Sequence, residues 1–168
     1  MKVFISIFVV VLAVVGLGYF LFQSSAEPAD PNEGPGEFFV EQGAEHIAEG
    51  TTEHPPYSSN PPTSGWHWPS PAAWGVYKSA LPDERFVHNL EHGGIWISYK
   101  PSVDAETIAK LEDFAQRYRK VIVAPREAND SNIALAAWEY LEKMDVYDEN
   151  TILNFIEAYY DEGPEKVP

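Results

Sequence analysis

The chain begins with an unbroken apolar run. From Val3 to Phe22 there is no charged residue, and Val, Ile, Leu and Phe dominate. About 20 residues at about 1.5 Å each span roughly 30 Å, the thickness of a bilayer's hydrocarbon core. The pattern therefore predicts one transmembrane helix over residues 1–22. Lys2 precedes it and acidic residues follow it, so the positive-inside tendency puts the N-terminus in the cytoplasm and the remainder outside. A cleaved signal peptide is the rival reading, with Ser24-Ser25-Ala26 as the cleavage site, but signal cores usually run to only about 7–15 residues. Either way the domain is exported: membrane-tethered and single-pass in the first case, secreted in the second.

Residues 23–37 lack a hydrophobic pattern. Pro28, Pro31, Gly34, Pro35 and Gly36 stand among acidic residues and serines, the composition of a flexible linker. An extracytoplasmic globular domain is expected over 38–168. Its first part, Phe38 to Lys78, shows little periodicity and many prolines, yet holds Tyr57, Trp66, Trp68, Trp74 and Tyr77. Disordered linkers are poor in aromatics, so this stretch predicts a long ordered loop packed on the domain. Periodicity returns further on. Gly94–Tyr99 predicts a strand, and a helix capped by Ser102 or Asp104 runs to about Lys120 with Ile108, Leu111, Ala115 and Tyr118 on one face. Val121–Ala124 predicts a short buried strand closed by Pro125. Leu135, Trp138 and Leu141 predict a helix over Asn132–Met144. A last helix, capped by Asp148, buries Ile152, Phe155, Ile156 and Tyr159 and stops at Gly163-Pro164. Strand, helix, strand is one βαβ unit, and the expected fold is a small α/β or α+β domain with C-terminal helices.

Composition narrows the function. A net charge of −15 disfavours nucleic acid as a partner. The chain has no cysteine, which removes disulfides, a lipidated cysteine anchor and thiolate ligands. All five histidines lie between His46 and His92. His88 and His92 are four residues apart and Glu91 is three from His88, so on a helical turn all three share a side. The segment Asp83–Leu90, ended by Gly93-Gly94, supplies such a turn. His67 lies in a second dense segment, TSGWHWP, and His46 upstream. Imidazoles with a carboxylate suit Zn(II) or Cu(II), whereas Cu(I) prefers sulfur ligands. The candidate metal ligands are thus His67, His88 and His92, with His46 or Glu91 joining them.

Other readings compete. His88-Asn89-Leu90-Glu91-His92 matches the H-x-x-E-H pattern of inverted zinc peptidases, with Glu91 as general base, but the glycines that follow at once do not suit its long helix. The histidines can instead be structural, in a non-catalytic interaction or assembly module. Trp66, Trp68, Trp74 and Tyr77 can wall a site, form a platform for a sugar or peptide, or simply pack the loop. A carboxylate pair of Glu84 with Glu91 is discounted, since such pairs are common on solvated faces, and Ser64 lacks the G-x-S-x-G elbow of a serine hydrolase.

The segments NPPTSGWHWPSPAAWGVY, ERFVHNLEHGGIWISYKP, ALAAWEYL and FIEAYYDEGPE resemble a bacterial family of uncharacterised, membrane-anchored domains, marked by PP-x-[SG]-G-x-H followed by VH-[NS]-LEHG. The resemblance covers roughly His46 to Glu165. It points to His46 (in an HI-x-EG element), His67, His88, Glu91 and His92, and implies no settled activity. His54 matches no position of the pattern. Some members place a cysteine where this chain has Trp74. Together these features suggest metal binding or handling outside the cytoplasm, with no protein partner indicated.

Overall fold

The computed structural model describes residues 33–166. The segment predicted to cross the membrane and all but the end of the predicted linker lie outside them. Among the described residues no helix is long and apolar enough to cross a membrane.

A six-stranded mixed sheet forms the centre. In chain order the elements are β1 (Glu37–Phe38), β2 (Gly75–Val76), α1 (Asp83–Glu91), β3 (Ile95–Tyr99), α2 (Ala105–Arg117), β4 (Val121–Pro125), β5 (Ile133–Ala137), β6 (Tyr140–Met144) and α3 (Glu149–Tyr159). The strand order is β1-β6-β5-β3-β4-β2. β3 and β4 run parallel through α2, which is the βαβ unit expected from the sequence, while β5 runs antiparallel to β3. β1 pairs with β6, so Glu37, at the end of the predicted linker, already belongs to the sheet.

Alternation divides the central strands between two cores. Ile95, Ile97, Val121, Val123, Ile133 and Leu135 face α2 and α3, whose Leu111, Phe114, Ile152 and Phe155 are fully buried. Trp96, Ile122, Ala124, Ala134 and Ala136 face α1 and the proline-rich segment. The alanines on this second face leave room for bulky aromatics, and Trp96, Phe86 and Trp138 fill it. The caps predicted for α2 and α3 form: Asp104 accepts from the Thr107 N–H and Asp148 from the Thr151 N–H, both at 2.9 Å.

One element is corrected. Residues 132–144 form the antiparallel hairpin β5–β6 instead of a helix. β5 is buried on both faces, so it reads as a continuous apolar run without alternation, and its alanines mimic helix propensity. Trp138-Glu139 is the turn, with Glu139 in the left-handed region at φ 67°. The predicted C-terminal helices thus reduce to α3 alone. The proline-rich stretch is ordered as expected, with residues 61–65 buried.

Candidate metal centre

α1 presents the helical half of the centre. Asp83 and Glu84 begin it, where acidic residues suit the helix N-terminus, and His92 caps its end. Gly93 follows at φ 76°, and a Cβ there would meet the Asp161 backbone at 2.7 Å. His88 and Glu91 are buried on the loop-facing side of α1.

The loop supplies the other half. Residues 43–47 run beside 65–67: Gly65 N–H donates to the Gly43 carbonyl (3.0 Å), His67 N–H to Glu45 (3.0 Å), and Ile47 N–H to His67 (2.8 Å). This short parallel pairing sets His46 opposite His67. Asn89 then clamps the loop to α1. Its side chain accepts from the Ala72 N–H (2.8 Å) and donates to the Ala72 carbonyl (3.0 Å).

His46, His67, His88 and Glu91 thereby come together. Their ligand atoms lie within 4.8 Å of one another, and this group can hold a metal ion. His67 is fully buried and His88 nearly so, whereas His46 is exposed at the rim. His67 Nε2 lies 3.0 Å from Glu91 Oε2, and His46 Nε2 lies 3.7 Å from the same oxygen. The three rings sit 4.9–5.1 Å apart, centre to centre.

Backbone carbonyls orient two of the rings. His67 Nδ1 lies 2.7 Å from the Gly65 carbonyl oxygen, and His88 Nδ1 lies 2.8 Å from that of Trp68. A carbonyl only accepts, so each Nδ1 carries hydrogen and each Nε2 is left to the centre. Metal-binding histidines are commonly fixed by such outer hydrogen bonds. Burial also pushes the His88 pKa below 6.5, partly offset by the Trp68 carbonyl, and so favours the neutral ring that binds metals.

The remaining candidates separate. His92 adjoins the four without joining them: its ring meets that of His88 at 4.5 Å, but it pairs with Glu165 at 3.1 Å and forms a second group with Glu91 and Glu165. Glu165 carried no signal as a ligand in the sequence, because 73 residues separate it from His92; only its place in the closing DEGPE segment marks it. His54 stands outside both groups, bound to Glu84 at 3.2 Å. Glu84 and Glu91 therefore take different histidines. Trp68 is buried, with its indole donating to the Thr51 carbonyl at 2.9 Å, while Trp66 is the more exposed ring of the two. Ser64 Oγ accepts from the Gln42 N–H at 3.0 Å.

No curated protein and no solved structure matches this chain. A family model described as "Protein of unknown function (DUF3105)" matches residues 49–168. That span takes in most of the chain and includes His67, His88, Glu91, His92 and Glu165, beginning just after His46; the protein belongs to this family of unknown function.

Proposed function

We propose that the domain binds one Zn(II) or Cu(II) ion through His46, His67, His88 and Glu91. We propose further that it handles this metal outside the cytoplasm, tethered by the Val3–Phe22 helix. One observation carries the metal site. Buried His67 faces an oxygen acceptor with each ring nitrogen, the Gly65 carbonyl and the Glu91 carboxylate. A neutral imidazole has one N–H and satisfies only one of them. The gap between Nε2 and Glu91 calls for a cation, and further histidines surround it. Tetrahedral zinc with bonds of about 2.0–2.1 Å sets neighbouring ligand atoms about 3.4 Å apart. The separations of 3.0 and 3.7 Å from Glu91 Oε2 bracket that value.

Binding is favoured over hydrolysis, because Glu91 sits among the ligands instead of behind a metal-bound water. The second reading rests on the same observation. The cation can be a proton, which makes His67–Glu91 a buried ion pair in a non-catalytic assembly module.

Calorimetric titration of the metal-stripped full chain separates the two. Metal binding predicts a Kd well below 10 μM for Zn(II) or Cu(II) and a metal-dependent rise in Tm. Glu91→Gln should keep the fold, since its amide can donate to His67 Nε2, and should lower affinity at least about tenfold. Affinity no tighter than about 10 μM, roughly 7 kcal/mol, would leave the ion-pair reading standing.

A further inference from the structure

We infer that Glu91 bridges two metal positions, the second completed by His92 and Glu165. This rests on the proposed first site and extends it to a binuclear centre. Glu91 Oε2 is directed at His67 and His46. Among the described residues no hydrogen bond engages Oε1. Glu91, His92 and Glu165 bring their ligand atoms within 4.8 Å of one another. The His88 and His92 rings meet edge to face at 4.5 Å, so the two groups adjoin one another. A carboxylate that uses both oxygens can join two divalent ions about 3.5–4 Å apart, the spacing of two-metal sites.

The second group is built into the fold. After α3 the chain turns back to the end of α1. Asp161 N–H donates to the Gly93 carbonyl (2.8 Å), and Glu165 N–H donates to Glu91's own carbonyl (3.0 Å). Lys120 Nζ donates to the His92 carbonyl at 3.1 Å and pairs with Asp161. Gly163 permits the approach: a Cβ there would stand 2.2 Å from the Glu91 carbonyl oxygen. The backbone thus delivers Glu165 to a histidine distant in sequence.

One imidazole and two carboxylates are a harder donor set than the first, suited to Zn(II) with water as a further ligand. Glu165 is half exposed, so the second ion exchanges with solvent and binds more weakly than the first.

Elemental analysis and Zn(II) calorimetry on the metal-stripped full chain test the bridge. Wild type should take two ions per chain in two steps. Glu165→Gln and His92→Asn should each take one, with the tighter step unchanged within about threefold. One ion in wild type and in both variants would overturn the second position and leave the first intact. Two ions in both variants would also overturn it. No ion at all would overturn the proposed function itself, and the bridge with it.

Discussion

His67 and His88 share one device, an Nδ1–H held by a loop carbonyl, but their surroundings set them different tasks. His67 meets a carboxylate with its other nitrogen, whereas burial holds the His88 pKa below the ordinary value. The consequence for His88 has a definite sign. Its folded pKa lies below the unfolded 6.5, so the unfolded chain takes up a proton first. The metal-free protein should therefore lose stability as pH falls below about 6.5, down to the folded pKa, and keep it above. His88→Asn retains a donor for the Trp68 carbonyl and should flatten that part of the profile. Urea unfolding at pH 5 and 7 checks this; equal pH slopes in the two proteins would refute it. Within the candidate site the His88–Glu91 pair was legible in the sequence, because i,i+3 spacing on a helix is a local property. The grouping of His92 was not. Its partner Glu165 arrives through the packing of the C-terminal segment, which no periodicity encodes.

Strands and helices explain the rest of what could be read. α2, α3, β3 and β4 lie close to their expected bounds, since each shows one-sided periodicity or a compact apolar run with a recognisable cap or stop. The 132–144 hairpin was missed because its turn carries no glycine or asparagine. Glu139 adopts the left-handed conformation instead. Such a conformation costs an ordinary residue about 1–2 kcal/mol. Glu139→Gly and Glu139→Ala both lose the carboxylate contact to the Glu41 N–H, so they differ only in backbone freedom. The glycine variant should be the more stable by about 1 kcal/mol by chemical denaturation. Phe155 tests α3. It is fully buried and packs edge-on to Tyr159 at 4.8 Å. Phe155→Ala should cost about 3–5 kcal/mol, whereas a loss under about 1 kcal/mol would place this face of the helix in solvent.

For the whole molecule, the division into two cores matters most. The face carrying α2 and α3 is a conventional apolar layer, while the opposite face is covered largely by irregular chain that carries the polar centre. The order of that chain was legible from its aromatics, and its path was not, because it depends on pairings such as Gly43 with Gly65. The C-terminal segment closes the same side. Gly163→Ala should cost about 1–3 kcal/mol, the range for forcing an atom into a packed contact, and Tm by calorimetry reads it. An unchanged Tm would mean that the segment is not held against α1.

The short parallel pairing that sets His46 beside His67 has a mechanical consequence. The ligand segments are spaced about 20 residues apart, so an ion would close two successive loops, each closure worth about 3 kcal/mol in a chain-entropy picture. In a chain without cysteine, such a clasp filled by redox-inert zinc would do the work of cross-links that no reductant opens and any strong chelator does. Resistance of the irregular layer to proteases would then report the availability of free metal in its surroundings.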